Sequence, residues 1–589
     1  MAEAQPIGSI LLADCGTVMT KAVLIEQVGG RYRFVAHGTA PTAAESPWSD
    51  VASSIQHAVE RISRIAGRDF FNESGRLISP EVSGRKGVDV FAATTSASRP
   101  LEVVIAGLVR DLSVASAERA AGGTYSLVKA VLASDGPGGR LSDEDRARVI
   151  RDAAPDVVCV AGGTEGGAGN PVLELVETAT IACSLMKPET RPLLLYMGNS
   201  RLRRHVVDIV DDSAELRVTD NVRPTPAEEN LLAAQEELDA LYKRDKMSQL
   251  PGVQAVDGWS QVPLTSTAAA FSRLMQYLWH LGGDHSRGVI GVDVGAASTT
   301  LAAVFDGHPS LTVQSDLGSA FGGQRLLQER DTHPEPIVRW LPEAMSAGEV
   351  RAQLINKESH PVSIGQEPRQ LWVEQAMARE AIQAARRVAQ PGWRPGAAHA
   401  YSRLTPLCDT IVVRGGVLAH APRPGQAALI VLDGLEPIGV STLVLDRYGL
   451  APALGNLAAV KPLAAVEALD NGGLVNLATV VAPVGQARPG DLVLKARVTY
   501  EDDSKFTIEV RYGDLEVLPL MPGQQAVIEL RPLRHFDVGL GGPGKGGKRL
   551  VNGGLAGLII DARGRPLCLA DTAKERQLRM QQWIWDVGG

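Results

Sequence analysis

The sequence predicts an α/β protein in two successive blocks of mixed strands and helices, with a β-rich block behind them. Three observations lead there. Strand-like and helix-like segments alternate from the start to about residue 455, the pattern of largely parallel sheets. An apolar strand ending in Asp-x-Gly occurs at Asp14 and again at Asp293. From about residue 456 the alternation gives way to short β-branched strands, as in a small sandwich or barrel.

The first block, 1–285, has strand candidates at Ser9–Ala13, Lys21–Glu26, Val88–Thr94, Glu102–Gly107, Leu127–Ala133, Asp156–Ala161 and Pro192–Met197. Helical stretches at Ser113–Ala121, Ser142–Ala154 and Val172–Met186 lie between several of them. Ser142 with Asp145 reads as a helix cap. Pro226–Lys246 reads as a charged amphipathic helix, and an α/β insertion is expected over about 87–250. The second block, 286–455, repeats this grammar. Gly288–Asp293 and Thr299–Asp306 flank a short turn, Glu374–Val388 is helical, and Thr410–Arg414 and Ala428–Leu432 read as strands. In the third block, 456–589, Asp491–Tyr500, Lys505–Tyr512, Leu515–Leu520, Gln525–Leu530 and Gly557–Ile560 read as strands ahead of a polar, helical tail.

Composition narrows the function. At roughly 150 residues per domain, 589 residues suggest three or four domains. The balance of 59 Lys and Arg against 67 Asp and Glu gives a net charge of −8, which argues against a generally basic nucleic-acid binder. The five cysteines form no CxxC pair, so neither a disulfide framework nor a cysteine-rich zinc module is expected, and a reducing, cytoplasmic setting fits. No basic-then-apolar leader pattern opens the chain, and no apolar run reaches the length of about 18 residues that a membrane span needs.

The chemistry gathers on the repeated motif. In Leu11–Lys21 a strand ends at Asp14, turns through Gly16 and Thr17, and re-enters a strand through Thr20 and Lys21. Glycine lets a phosphate approach the backbone, and turn amides can point at the anion. Asp14 suits magnesium held through water, since that ion favours one or two carboxylates together with phosphates. An ordinary hairpin with a polar turn would look the same. The second copy, Asp293-Val294-Gly295-Ala296-Ala297-Ser298-Thr299, makes a clamp on one nucleotide the better reading, with Asp14 and Asp293 flanking one Mg²⁺. A third element, Arg414-Gly415-Gly416 after an apolar strand, offers flat backbone to a nucleoside.

Two hairpins and a late Gly-Gly element in this order resemble the superfamily of actin, sugar kinases and heat-shock chaperone ATPases. More narrowly, the chain is similar to the MutL family encoded beside glutamate mutase, which is distinct from the mismatch-repair protein of that name. The resemblance covers about residues 10–460. It is carried by Ala13–Lys21, Ala106–Val109, Asp156–Gly167, Met197–Asn199, Asp293–Thr299, Asp316–Gly318, Arg414–Ala419 and Asp446–Leu450. It implies a two-lobed actin-like (ribonuclease H-like) ATPase fold with an α/β insertion. It also implies an ATP- and Mg²⁺-binding accessory protein of an adenosylcobalamin-dependent mutase, with ATP-driven reactivation or chaperoning as its role. Residue by residue, Asp14 and Asp293 would hold magnesium and position the attacking water. Gly16, Thr17, Thr20, Lys21, Gly295, Ser298 and Thr299 would hold phosphates, and Gly415 and Gly416 the nucleoside. The sequence departs from the pattern at Ala296, where Gly is common, at Thr300, where Asp is common, at Ser98-Arg99 in place of Gly-Gly, and at Arg414 in place of a small or hydroxyl residue. These departures bear on hydrolysis, and they keep a non-hydrolysing scaffold as the rival reading. A small-molecule kinase of the same superfamily would need an acceptor site that the sequence does not display.

Other motifs carry less. Gly162–Gly167 follows a strand and precedes a helix, but Glu165 within it argues against phosphate; a structural turn or a partner contact fits. Gly539–Gly544 satisfies GxGxxG literally, yet Gly546 stands where a Walker loop needs Ser or Thr, and no helix is expected after it. Residues 531–565 hold seven Lys and Arg, two Asp and ten Gly, as a solvated basic loop would. The histidines show no HExxH or HxH spacing, and there is no GxSxG elbow.

Overall fold

Two five-stranded arrangements with the same wiring form the frame of the protein. The computed structural model describes residues 8–42, 50–82, 85–135, 141–323, 326, 336–393 and 404–588. The hairpin of β1 (Ser9–Cys15) and β2 (Met19–Val28) continues into β3 (Arg31–Pro41), all antiparallel. Strand β4 (Val90–Thr95) lies parallel to β1 on its other side. It falls inside the stretch expected to be inserted, but it pairs in this first sheet. The turn from β2 to β3 is Gly29-Gly30, both at positive φ, the two-residue connection whose twist matches the strands.

The chain then builds a separate compact unit, Ser98–Leu250 with Thr312–Ser315. Its strands are β5 (Leu101–Gly107), β6 (Ser126–Ala133), β7 (Val157–Ala161), β8 (Leu193–Tyr196) and β9 (Leu216–Val218). All pair in parallel, in the order 6-5-7-8-9, which is a doubly wound sheet. Helices Asp143–Ala153 and Asn170–Ser184 cover Val104, Val158, Val160 and Leu194. Ser142 caps the first of them by accepting from the Asp145 amide at 3.1 Å, as expected. Only Leu232–Tyr242 of the expected 226–246 helix is α-helical, and a π-turn follows it.

Back in the larger unit, β10 (Thr265–Ser266) pairs parallel to β4 and completes the order 3-2-1-4-10. The second sheet repeats this design with β11 (Gly288–Val294), β12 (Thr299–Phe305), β13 (His308–Gln314), β14 (Cys408–Arg414) and β15 (Gly439–Leu445) in the order 13-12-11-14-15. The turn from β12 to β13 is again a positive-φ pair, Asp306-Gly307. The duplicated order, with two parallel pairings after an antiparallel meander, is the two-lobed actin-like fold. Each half follows its fifth strand with a helix, Thr267–Leu281 and Ala451–Ala458, and these two pack on each other. Gly455 is required there, because a Cβ would lie 2.0 Å from the Ala270 carbonyl oxygen.

Ala428–Leu432, read above as a strand, lies in the helix Pro424–Leu435. That helix is buried from Ala427 to Leu435, so apolar residues run without a break from Ala427 to Leu432 and, Asp433 aside, give no helical period. Beyond it, β16 (Val475–Ala482) pairs with β15 and extends the second sheet. The five expected C-terminal strands form as β17 (Leu492–Tyr500), β18 (Lys505–Arg511), β19 (Leu515–Leu518), β20 (Gln525–Pro532) and β22 (Leu558–Asp561), and a sixth, β21 (Gly547–Asn552), forms within the stretch read as a solvated basic loop. They divide between two sheets. β22 and β19 continue the second sheet past β16, while β18-β17-β20-β21 stand as an antiparallel sheet. The two enclose a core that includes Val481, Leu494, Ile528 and Ile560. The polar tail forms the helix Ala573–Asp586, whose Met580 and Trp583 enter the core of the second half.

Candidate functional site

Each half begins with the same hairpin. Asp14 is the last residue but one of β1, opposite Lys21, and Asp293 holds the same place on β11, opposite Thr300. The turns are closed by the same bond: Gly16 N–H donates to Met19 O at 3.1 Å, and Gly295 N–H to Ser298 O at 2.9 Å. A Cβ on Gly16 would sit 2.9 Å from Met19 O, and one on Gly295 3.0 Å from Ser298 O, so both turns leave little room for a side chain, against the same carbonyl. Neighbouring segments seal them differently. Thr17 Oγ1 donates to Ser96 O at 3.1 Å. In the second turn, Ser319 N–H donates to Gly295 O, and the amides of Ala320 and Phe321 donate to Ala296 O.

The parallel neighbour of each aspartate decides the site. In β4 it is Thr94, and in β14 it is Arg414. Thr94 and Thr267 hydroxyls donate to Asp14 Oδ1 at 2.8 and 2.7 Å. Arg414 reaches both halves: Nη2 donates to Asp14 Oδ2 at 2.6 Å, and Nη1 to Asp293 Oδ2 at 2.8 Å. Its Nε lies 3.6 Å from Asp446 Oδ2 without a hydrogen bond. Asp446 is itself held by the amides of Leu450 and Ala451, both at 2.8 Å, at the start of the helix Ala451–Ala458. The backbone aims the arginine. Gly415, at φ +115°, packs so closely that a Cβ would be 2.0 Å from Val294 O. That packing by itself accounts for glycine at 415, whereas Gly416 is exposed with open space around it.

Charge in this cluster is finely divided. Burial raises the Asp293 carboxyl pKa, against the pull of Arg414, with Asp14 adding to the rise. Burial lowers the Lys21 ammonium pKa, helped by Arg414, while the aspartates resist. Burial disfavours the Arg414 charge, but Asp293, Asp14 and Asp446 together outweigh it, so that guanidinium stays charged. Lys21 also packs on the other half, because a Cβ at Gly449 would lie 2.4 Å from its Cδ. His420, beyond Gly416, has its pKa lowered by burial, then by Lys21 and Arg447.

These residues do not fit the magnesium ion expected between Asp14 and Asp293. Both Asp14 oxygens already accept hydrogen bonds, and a guanidinium bridges the two carboxylates. Among the described residues, no group of three or more His, Cys, Asp or Glu is placed to hold a metal.

The remaining expected residues fall as follows. Gly16, Thr17, Lys21, Gly295 and Ser298 are partly accessible at the two turns. Thr20 and Thr299 point into the interior. Thr20 Oγ1 shares a hydrogen bond with Thr42 Oγ1 at 2.8 Å, and Thr299 Oγ1 is buried without a partner among the described residues. Thr94 and Thr267 were not anticipated, and Asp446 was marked only as part of the family-like stretch Asp446–Leu450, without a role. Thr94 has its signal in register, because parallel pairing sets it beside Asp14 as it sets Arg414 beside Asp293. The Gly162–Gly167 loop is tied within its own unit, where Glu165 accepts from the Ser200 and Asn221 side chains. Those bonds lower its carboxyl pKa although burial opposes them. After Gly539–Gly544 comes β21 and not a helix, as expected.

The architecture and the paired aspartate hairpins define an actin-like protein. The chain matches the family described as MutL protein over residues 10–472 and belongs to it. It is 25% identical to Protein MutL of Clostridium tetanomorphum over 446 residues, 71% of this chain and 87% of that one. Among solved structures it is similar to the ethanolamine utilization protein EutJ of Carboxydothermus hydrogenoformans, at 11% identity and a TM-score of 0.27 over 77% of this chain and 90% of that one. It is also similar to a ROK family glucokinase of Streptomyces griseus in complex with glucose and AMPPNP, at 10% identity and a TM-score of 0.27 over 77% and 100%. Among the described residues, no helix is long and apolar enough to cross a membrane.

Proposed function

We propose that this protein binds ATP between its two hairpins and serves, in the cytoplasm, as an accessory factor that reactivates or chaperones an adenosylcobalamin-dependent mutase of the glutamate mutase type. The observation that carries the reading is that Asp14 and Asp293, from opposite halves, share one guanidinium. That sharing brings the two turns to one place. Phosphates would lie on the turn amides near Gly16, Thr17, Gly295 and Ser298, with Lys21 beside them, and the nucleoside near Gly415 and Gly416. Thr20 and Thr299 would then act from behind the turns. Nucleotide would drive a partner-facing change only by favouring one arrangement of the halves.

A second reading is favoured by Arg414: the protein binds nucleotide without hydrolysing it and acts as a scaffold. Thermal unfolding with and without ATP tests binding. A ligand at about 100 times its Kd stabilises by roughly 2.7 kcal/mol. No shift in the wild type, or an equal shift in Asp14→Ala and Asp293→Ala, overturns the shared site. Phosphate release with and without the mutase then separates the two readings.

A further inference from the structure

Resting on the nucleotide reading above, we propose that Arg414 is the resident cation of the Asp14–Asp293 pair, so that these carboxylates take no divalent ion and nucleotide enters the site without one. Three carboxylates from three separate elements converge on this single side chain: Asp14 from β1, Asp293 from β11 and Asp446 from the segment after β15. A guanidinium suits that task better than an ammonium, because its planar fork offers parallel N–H donors and carries its charge at every ordinary pH. The side chain is 4% exposed and is backed by the Phe271 ring, 6.0 Å from its centre.

The position is built into the strand register. Arg414 stands beside Asp293 as Thr94 stands beside Asp14, so one half supplies a hydroxyl where the other supplies a charge. Gly415 fixes the backbone immediately after it against Val294. A magnesium ion would neutralise the aspartates so that phosphates can approach, and Arg414 performs that neutralisation permanently. Lys21, opposite Asp14, adds the second positive charge on the side of the turn.

The test is calorimetric titration of ATP into the full-length wild type, in EDTA and in excess Mg²⁺, beside a Mn²⁺ titration followed by electron paramagnetic resonance. The expected result is an ATP affinity that agrees within about threefold between the two buffers, and no stoichiometric Mn²⁺ on the nucleotide-free protein. Arg414→Met is expected to gain one Mn²⁺, and Arg414→Gln, which gives up the charge but keeps an N–H donor and both carboxylates, keeps that arm readable if Arg414→Met unfolds. An affinity raised about tenfold or more by Mg²⁺ overturns the proposal and leaves the nucleotide reading standing. Absence of ATP binding in both buffers overturns the nucleotide reading. The Mn²⁺ titration then decides the first part alone: one bound ion on the wild type overturns it, and none supports it.

Discussion

The two halves place an aspartate at the same point of the same hairpin and then treat it in opposite ways. Asp14 is enclosed by donors of its own half, two threonine hydroxyls, with Lys21 opposite it on β2. Asp293 has Thr300 opposite it and depends on Arg414, which it shares. The first half therefore supplies two of the three hydrogen bonds on Asp14 itself, both to Oδ1, whereas the second supplies the charge that joins the halves. A duplicated fold need not keep a duplicated site, and the asymmetry here lies in two register positions, 94 against 414 and 21 against 300.

The largest expected effect comes from removing the joining charge. Arg414→Met leaves Asp14, Asp293 and Asp446 without their common partner, and breaking a buried ion pair on one side costs about 3–5 kcal/mol. Urea unfolding monitored by circular dichroism measures it. A loss below about 1 kcal/mol would mean that water already solvates the aspartates, and the comparison would fail.

Next is the contrast between the aspartates themselves. Asp14→Asn disturbs three charge-assisted bonds and is expected to cost about 2–3 kcal/mol, whereas Asp293→Asn disturbs one and is expected to cost about 1 kcal/mol. Equal losses in the same urea experiment would erase the asymmetry. Thr267→Val sharpens it further. It removes one hydroxyl donor to Asp14 while keeping the shape, for an expected loss of about 1–2 kcal/mol. Thr300→Val, at the buried position opposite Asp293, is expected to cost less than about 0.5 kcal/mol, since no hydrogen bond from that side chain reaches the aspartate.

Much of this was legible in the sequence, and the limits are physical. The repeat at Asp14 and Asp293 located both hairpins, because a strand ending in Asp-x-Gly is a local pattern. The third strand of each meander escaped notice, although Gly29-Gly30 and Asp306-Gly307 are the turn pairs that announce it. The Pro424–Leu435 helix could not be told from a strand, because burial on all sides removes the period. Arg414 stood out only as a departure from a pattern. Its meaning needed the pairing of β14 with β11, and pairing between segments so distant in the chain is a tertiary fact. The same holds for Thr94 and Thr267, ordinary residues until the strands bring them to Asp14.

A second buried cluster shows what a purely structural ion network looks like in this protein. Arg379 pairs with Asp433 at 2.7 Å, Arg563 with Asp433 and Asp561 at 2.8 Å each, and Arg565 with Asp561 at 2.6 Å. None of these side chains exceeds 2% exposure, and the arginines hold the Asp561 carboxyl well below the usual range although burial opposes them. Around Arg414, Asp293 keeps 14% of its side-chain surface and adjoins accessible turns. One network is sealed, and the other opens on solvent where a ligand could meet it.

The last contrast is in the pH dependence, and it separates the two halves most finely. The Asp293 pKa is raised above its ordinary 3.8, burial being the main cause. Between the unfolded and folded values the native state therefore holds the extra proton, so stability falls as pH rises through that window, by at most about 1.4 kcal/mol per pH unit. Lys21 acts in the opposite sense at the alkaline end. Its folded pKa lies below 10.5, so between the two values the unfolded chain binds the proton and stability rises with pH. Asp293→Asn is expected to remove the acidic slope and leave the alkaline one, and Lys21→Met to do the reverse, both read from urea midpoints across pH. If Asp293→Asn left the acidic slope intact, the raised proton affinity would belong to another carboxylate, and the division of charge between the halves would have to be redrawn.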